Sequence, residues 1–204
     1  GSLFIIGIYC QKSINMTTLS SLYILWNKTA QTSSWTAINS SLDIMQVSID
    51  DIREKAEDGQ AIWLVLPAKF CSVYQIKLPK LPQKDVPQAL MSILEDKVIQ
   101  DFSHLWWFYQ KAPSGLYQVV LCDKAWMDNV REFWKSKQVP LKGMTLDWFA
   151  LKPQEIFVLD DGDALMRSTT ENGCFSYEWL SERLQNHIEH FQIHDTQTLH
   201  QPFE

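Results

Sequence analysis

The apolar run Ala61–Leu66 (AIWLVL) is the feature that most constrains the fold of this chain. A near-continuous apolar run of this length, ended here by Pro67, is typical of a strand that is buried on both faces. Such a strand needs a layer of structure on each side, and helices supply these layers in α/β proteins. The next run, Cys71–Leu78, alternates more clearly between apolar and polar residues and predicts a neighbouring strand that Pro79 closes.

Amphipathic segments predict the helices that cover this sheet. In Asp85–Gln100 apolar residues recur at intervals of three and four, and Asp85 is the predicted N-cap. A second segment with this periodicity follows Asp123, another predicted cap, and a third runs from about Glu178 to Phe191.

A shorter helix is predicted directly after Ser48, because Ser48 and Asp51 fit a capping box and Gly59 supplies a stop. Upstream, Leu22–Trp26 and Ser34–Ile38 are β-rich runs joined by a polar connection, which predicts a hairpin. Two further strand pairs flank turn-rich segments: Leu105–Gln110 with Leu116–Cys122, and Ile156–Leu159 with Ala164–Ser168.

A lysine-rich stretch, Lys135–Met144, is the predicted boundary between two parts of the chain, because it contains both a proline and a glycine. We predict a first part at residues 16–144 and a second, partial one with a C-terminal helix at residues 145–204. Residues 1–15 are interpreted as an N-terminal extension that begins with a cloning scar. The order of the elements predicts mixed sheets with helices packed on them.

Composition excludes several classes of protein. The 204 residues are 46% hydrophobic and include nine tryptophans, so the chain can bury a substantial core and is not disordered. The net charge of −6, without a long run of Lys or Arg, argues against nucleic acid as a partner. The N-terminal run Leu3–Cys10 is too short to cross a bilayer, which needs about 20 residues. The four cysteines are widely spaced, which predicts reduced thiols in a cytosolic compartment.

The sequence contains no recognised catalytic motif. It has no GxGxxG, Walker or Gly-x-Ser-x-Gly segment, so we predict no enzyme and no cofactor. The one candidate for a phosphate or Mg²⁺ loop consists of Asp160, Asp161, Gly162 and Asp163. The same four residues are also the ordinary sequence of a tight β-turn, which is the interpretation we favour.

Histidines near the C-terminus form a candidate zinc site. His187, His190 and His194 fall at spacings that share one face of the predicted third helix. No cysteine or Glu-His pair completes a known zinc motif, and Ile188 and Phe191 compete for the buried side. We favour a solvated polar face and predict no metal.

The tryptophans could form core or contact surface. Trp63 is predicted to be core, and Trp106 and Trp107 must face opposite sides of a strand because they are consecutive. Trp126 and Trp134 share the apolar stripe of the second predicted helix, for which core is the favoured interpretation. Any tryptophan left outside the core would mark a binding surface. On the residues alone, a binding domain is favoured over an enzyme.

Six segments resemble, in order and spacing, the cytoplasmic domain of type II secretion system protein L. They are Leu64–Ala68, Val73–Pro79, Ala89–Asp96, Asp101–Phe108, Leu146–Leu151 and Phe157–Arg167. The first four look like the family's two strands that end in proline, a helix that ends in acidic residues, and a strand opening. The last two are similar to the start of its second lobe. The resemblance covers most of Leu22–Leu180.

This resemblance implies an actin-like, RNase H-type α/β fold of two lobes, with a second lobe too short to be complete. It implies a non-enzymatic adaptor at the cytoplasmic face of the bacterial inner membrane that binds the N-terminal region of the type II secretion ATPase. The family protein continues into a single transmembrane helix and a periplasmic domain, so we expect this chain to be one part of it. Further expected partners are platform protein M and pseudopilus components, through regions absent here, and a second copy in a homodimer.

The resemblance also bears on nucleotide binding. In actin-like ATPases the first hairpin of each lobe contributes a phosphate loop, and Asp160–Asp163 resembles the loop of the second lobe in position. The matching connection of the first lobe, residues 27–33, contains neither Asp nor Gly. We therefore expect a cleft without nucleotide chemistry. The alternatives are an actin-like pilus assembly protein that still binds ATP and, third, a hydrolase with scattered carboxylates.

The sequence does not reveal which surface meets the ATPase, and it offers helix tryptophans and an acidic helix end as candidates. The candidates are Trp126 and Trp134 on the second helix, and Glu95 and Asp96 at the acidic end of the first.

Overall fold

The computed structural model describes residues 21–26, 34–39, 44–112, 114–159, 162–168, 172–184 and 190–194, which form three sheets and four helices. The strands are β1 (Ser21–Leu25), β2 (Trp35–Asn39), β3 (Ile44–Val47), β4 (Ala61–Leu66), β5 (Cys71–Ile76), β6 (Leu105–Lys111), β7 (Tyr117–Asp123), β8 (Leu141–Leu146), β9 (Glu155–Val158), β10 (Asp163–Arg167), β11 (Asn172–Ser176) and β12 (Gln192–His194). The helices are α1 (Ile49–Glu57), α2 (Val86–Glu95), α3 (Lys124–Ser136) and α4 (Tyr177–Arg183).

The first sheet has the strand order β3-β2-β1-β4-β8. β1, β2 and β3 pair antiparallel in succession, whereas β4 is parallel to β1 and β8 is parallel to β4. Four of the six residues of β4 are buried, as expected for a strand with a layer on each side. This order, with three antiparallel strands followed by two parallel ones, is that of the RNase H-type fold. The predicted α/β class is therefore confirmed.

The second sheet has the order β11-β10-β9-β12 and repeats the first four positions of the first sheet. Its first three strands pair antiparallel, and β12 is parallel to β9. α4 follows the third strand of this sheet just as α1 follows the third strand of the first. Leu180 of α4 packs on Ile156, Ala164 and Met166. The described part of the chain contains no counterpart of β8 in this sheet.

The third sheet, β5-β7-β6, is antiparallel and carries α2 on one face. Val86, Leu90 and Leu94 of α2 are buried in one cluster with Val119 and Leu121 of β7. The i, i+4, i+8 spacing of the three α2 residues is the periodicity that predicted the helix.

By the density of its contacts the chain divides into two compact units. The third sheet and α2 belong to the unit of residues 70–132, and the other two sheets belong to the unit of residues 1–69 and 133–204. The predicted lobes, 16–144 and 145–204, stay a prediction. The prediction that Lys135–Met144 links two parts of the chain is wrong, however, because residues Leu141 to Leu146 form strand β8, which pairs with β4.

The first long helix is shorter than its sequence pattern predicts. α2 ends at Glu95, because the chain turns at Leu94, whose carbonyl accepts the N–H groups of both Lys97 and Val98. Val98 still packs against the core, which explains why the apolar periodicity continues past the helix end. Asp85 precedes α2 as predicted, but its side chain accepts no capping hydrogen bond.

The C-terminal helix is also shorter than predicted. α4 ends at Arg183, and the chain beyond Phe191 is a strand in which Ile193 pairs with Ile156 of β9. The predicted helix Glu178–Phe191 is therefore wrong at its C-terminal end, because strand pairing replaces helical hydrogen bonds there.

One local prediction is confirmed in detail, and a second is confirmed only in part. Asp123 caps α3 through a 2.8 Å hydrogen bond from the Trp126 N–H to its Oδ1. Trp63, which we predicted as core, packs against one core cluster but is only half-buried. Its register partner in β8 is Gly143, where a Cβ atom would lie 2.6 Å from the indole, so only glycine leaves room for this ring.

The capping box of α1 is present as predicted. The Asp51 N–H donates to Ser48 Oγ at 3.1 Å, and the Ser48 N–H donates to Asp51 Oδ2 at 2.7 Å. The hydrogen bonds from Ser48 lower the pKa of the Asp51 carboxyl, because they stabilise its charged form. Because the pKa of Asp51 is lower in the folded state, the stability that its charged carboxylate adds is complete above the unfolded-state pKa. This stability is lost as the pH falls through the folded-state pKa.

We expect Ser48→Ala to lower Tm by about 2–4 °C at neutral pH, because it removes an N-cap. The substitution should also raise the pKa of Asp51 towards its ordinary value, which a carboxyl NMR titration measures. Ser92→Ala, on the exposed face of α2, is the matched control and should leave both quantities unchanged. An unshifted Asp51 pKa in Ser48→Ala would contradict this account.

Candidate interaction site

The structure sorts the nine tryptophans by exposure, and only one is exposed. Trp35, Trp134 and Trp148 are buried, and five others are half-buried, while Trp179 exposes 42% of its surface. Trp134, predicted as a partner contact, exposes only 1%. That prediction is wrong, because the side chain fills the core of its unit.

Trp134 lies in an aromatic cluster between α3 and the β1–β2 hairpin. Its ring centroid is 5.0 Å from Trp35 and 6.4 Å from Trp26, and Phe133 lies 5.4 Å from Trp35. The indole N–H groups of Trp26 and Trp134 are buried and donate no hydrogen bond to any of the residues that the structure describes. This cluster fixes the last turn of α3 to the hairpin, so Trp134 serves the fold.

Trp126, on the first turn of the same helix, is half-buried. Its ring centroid lies 5.3 Å from that of Phe70. The remaining exposed edge keeps Trp126 a candidate contact, but most of its apolar area is already used within the chain.

The exposed Trp179 was not among the predicted contacts. It stacks on Phe175 with ring centroids 5.3 Å apart and planes inclined by 21°, and the guanidinium carbon of Arg183 lies 5.2 Å from the centroid of its ring. Trp179 and Arg183 are four residues apart on one side of α4, and Phe175, four residues before Trp179, lies near the end of β11. We call Phe175, Trp179 and Arg183 the Trp179 stack. The spacing was visible in the sequence, but it does not reveal which side faces solvent.

Glu95 and Asp96, the two acidic residues predicted as partner contacts, are both exposed. They end α2, where the helix dipole places partial negative charge, and no basic residue lies in the last turn to offset it. Two carboxylates at the C-terminal end of α2 do not stabilise the helix, so helix stability does not explain why they are there.

The predicted phosphate loop lies in the β9–β10 hairpin. Asp160 and Asp161 fall outside the described residues. Gly162 has a φ of +84°, the left-handed conformation that glycine was predicted to supply. The Asp163 carbonyl accepts the Leu159 N–H at 2.8 Å, as in an ordinary hairpin turn. The tight-turn interpretation is confirmed for Gly162 and Asp163.

The candidate zinc residues are not on one helical face. His187 lies outside the described residues, and His194 lies in β12 rather than in a helix. Within the described ranges no group of three or more His, Cys, Asp or Glu side chains is close enough to hold a metal ion. His194 instead faces Glu155, with Nε2 3.8 Å from Oε1.

Glu155, at the start of β9, is a buried carboxylate with positively charged neighbours. Its Oε2 accepts the Lys152 N–H at 2.7 Å, and its Oε1 lies 3.8 Å from Lys152 Nζ. Arg167 pairs with it in register across β10. Burial lowers the pKa of Arg167, while the charge of Glu155 acts to raise it. The buried carboxylate therefore offsets the charge of the half-buried Arg167 and links Lys152 to the start of the second sheet.

We expect Glu155→Gln to lower the free energy of unfolding by about 1.5–3 kcal/mol, the range for hydrogen bonds that involve a charged group. The amide keeps the shape but leaves Arg167 without its countercharge. Urea unfolding measures the effect, and Glu178→Gln on exposed α4 is the control, expected within about 0.5 kcal/mol of wild type. Equal stability of the two variants would contradict this role of Glu155.

The comparisons with known proteins place the fold. The chain is similar to the solved structure of the cytoplasmic domain of EpsL, an inner membrane component of the type II secretion system of Vibrio cholerae. The two structures superpose with a TM-score of 0.60 and are 18% identical in sequence, over 86% of this chain and 81% of that one. The resemblance predicted from sequence is thus confirmed for the fold.

A second solved structure is a Bacteroides thetaiotaomicron protein of unknown function with an actin-like ATPase fold. Its TM-score is 0.43 at 10% identity, over 87% of this chain and 81% of that one. No family model matches the chain, and no curated protein matches it. Among the described helices, none is both long and apolar enough to span a membrane.

Proposed function

We propose that this chain is a non-enzymatic adaptor of a type II secretion system inner-membrane platform. In this role it binds the N-terminal region of the secretion ATPase at the cytoplasmic face and links the ATPase to the membrane. The observation that carries the proposal is the fold shared with the EpsL cytoplasmic domain over 86% of this chain. Platform protein M and pseudopilus components are partners of the whole protein in the same proposal.

The sequence of the first hairpin supports an adaptor over an ATPase. Residues 27–33 contain no Asp-x-Gly pattern, whereas a triphosphate needs glycine backbone that can approach it closely. The second hairpin alone, with Gly162 and Asp163, would hold phosphate from only one side.

Within this proposal, the Trp179 stack anchors the ATPase. Exposed tryptophan and arginine are the residue types that contribute most to binding energy at protein interfaces. Trp179 already contacts both Phe175 and Arg183, so docking a partner on it costs little additional conformational entropy.

We expect titration of the chain with the N-terminal region of the secretion ATPase from the same cell to give a dissociation constant of about 1–10 µM by calorimetry. Trp179→Ala should weaken binding about tenfold or more, because it removes the aromatic anchor. Leu81→Ala is the matched control, since Leu81 is exposed to a similar extent, 39%, in the other unit. If the titration gives no heat at high micromolar concentrations, the result counts against the proposed function. If Leu81→Ala weakens binding and Trp179→Ala does not, the ATPase binds at a surface other than the Trp179 stack.

The second candidate is an actin-like pilus assembly protein that binds ATP. The β9–β10 turn favours it, because this turn has the same topological position in the second sheet as the β1–β2 connection has in the first.

Thermal unfolding with Mg-ATP separates the two functions. A ligand that binds only the folded state stabilises it by about 2.7 kcal/mol at one hundred times its dissociation constant. We expect no change in Tm for this chain. A rise in Tm that Asp160→Ala and Asp163→Ala each abolish would instead establish nucleotide binding at this turn.

A further inference from the structure

Two cysteines face each other across neighbouring strands of the third sheet. Cys71, the first residue of β5, pairs in register with Cys122 of β7, and the two strands are antiparallel. Register partners in an antiparallel pair point to the same face of the sheet, so both thiols lie on one side of it. α2 covers the other side, where it packs on Val119 and Leu121. The two cysteines are far apart in the sequence, so only the strand register brings them together.

The register gives the two cysteines the spacing that a disulfide needs. Directly opposed residues of antiparallel strands have Cα atoms about 4.5–5.5 Å apart, and a disulfide joins residues whose Cα atoms are about 4.4–6.8 Å apart. The Cβ atoms of opposed residues lie about 4.5–5.5 Å apart, whereas a disulfide brings them to about 3.8 Å. Closing the bond therefore draws the strands together by about 1 Å. β5 can move this far, because it is the edge strand of the described sheet and Cys71 is its first residue.

The two thiols differ in access and in environment. Cys71 is half-buried, whereas Cys122 exposes only 3% of its surface. The Cys122 thiol donates to the Trp106 carbonyl, with Sγ 3.7 Å from the oxygen, and this contact stabilises the protonated form of the thiol. An oxidant in solution therefore reacts with Cys71 first, and Cys122 is placed to react second.

We propose that Cys71 and Cys122 form a reversible redox site, in which a small disulfide of the glutathione class converts the two thiols into a cross-strand disulfide. The Cys71 thiolate attacks one sulfur of the small disulfide, forms a mixed disulfide and releases the first small thiol. Cys122 then loses its proton and attacks the Cys71 sulfur, which forms the bond between the strands and releases the second small thiol. The two protein thiols lose two electrons and two protons, and the small disulfide takes up both as it becomes two thiols.

The bond is reversible because the fold strains it. The edge strand must shift to close the bond, and strained disulfides are more easily reduced than relaxed ones. In a reducing compartment the pair therefore rests as two thiols and closes when the supply of oxidised small thiol rises.

Oxidation restrains most of the smaller unit. The disulfide closes a loop of about 50 residues that contains α2 and β6, and it fixes the edge strand to the middle of the sheet. This inference goes beyond the proposed function and does not depend on it.

Cys174 is the matched control within the chain. It is half-buried like Cys71, but its register partner in β10 is Leu165 rather than a cysteine. Cys174 should therefore accept a mixed disulfide and react no further. Cys10 lies outside the described residues, so every sample carries Cys10→Ser.

Incubation of the chain with oxidised glutathione, followed by mass spectrometry of its peptides without reduction, tests the proposal. We expect the Cys71–Cys122 linkage to be at least about tenfold more abundant than any other cysteine pairing, because the register gives these two thiols a high effective concentration. Cys174 should carry glutathione instead. Excess reduced glutathione should restore the thiols of Cys71 and Cys122.

Two further variants separate the two chemical steps. Cys122→Ala removes the second thiol, so the reaction should stop at a glutathione adduct on Cys71. Cys71→Ser removes the accessible thiol, so Cys122 should react at least about tenfold more slowly than Cys71 does in the parent chain. The second substitution lies at a half-buried edge position, so it tests the order of reaction even if Cys122→Ala disturbs the core. Circular dichroism verifies that each variant is folded.

Hydrogen exchange measures the effect of the bond on the fold. In the oxidised chain the amides of β5 should exchange at least about tenfold more slowly than in the reduced chain, because the edge strand opens less often. The amides of β10, beside Cys174, should exchange at the same rate in both forms.

The opposite results overturn the proposal. It fails if Cys71 stops at the glutathione adduct as Cys174 does, or if the linkages of Cys71 join separate chains. It also fails if excess reduced glutathione leaves the bond intact, if Cys122 reacts at the parent rate in Cys71→Ser, or if the exchange of β5 is unchanged by oxidation. Calorimetry with the ATPase N-terminal region decides the proposed function separately.

Discussion

The turn Asp147–Ala150 ties two sheets together, and the arrangement of the larger unit depends on it. Asp147 Oδ1 accepts the Ala68 N–H at 2.8 Å, which fixes the turn to the end of β4. Trp148 Nε1 donates to the Met166 carbonyl of β10 at 2.6 Å, and Arg167 lies 5.0 Å from its ring. Both Asp147 and Trp148 are buried, so each hydrogen bond also satisfies a polar group that water cannot reach.

This turn also joins two sheets of related topology. The first has three antiparallel strands, a helix and two parallel strands, and the second repeats that order as far as β12. In such a fold the first hairpin of each sheet is placed at an equivalent position, which is where actin-like proteins hold phosphate. Here one connection lacks Asp and Gly, and the other is closed by its own backbone hydrogen bond at Gly162.

The sequence predicts best those elements whose pattern of apolar residues matches the way they are buried in the fold. Ala61–Leu66 is predicted residue for residue, because a strand covered on both faces is apolar throughout. β8 was missed because it pairs only with β4 and buries only Leu146, so it carries almost no apolar pattern. The end of α2 was missed because Val98 keeps the helical period although it lies in a turn.

The same distinction limits the prediction of the site. Trp134 and Trp179 both follow helical spacing, yet Trp134 is buried in an aromatic cluster and Trp179 is exposed to solvent. Sequence periodicity identifies a stripe, but only the packing of that stripe against other elements decides which tryptophan remains outside. Glu95 and Asp96, by contrast, are exposed as charged residues usually are, and this preference needs no tertiary information.

The division into two units has a consequence for the order of folding. Residues 70–132 are inserted between the two halves of the larger unit, and Val65 of β4 pairs with Thr145 across the whole insertion. As the chain leaves the ribosome, the insert can complete its local contacts while the edge of β4 still waits for β8. A slow-folding insert would prolong the exposure of that apolar edge to neighbouring nascent chains, so the folding rate of the insert sets how long the edge stays open to aggregation.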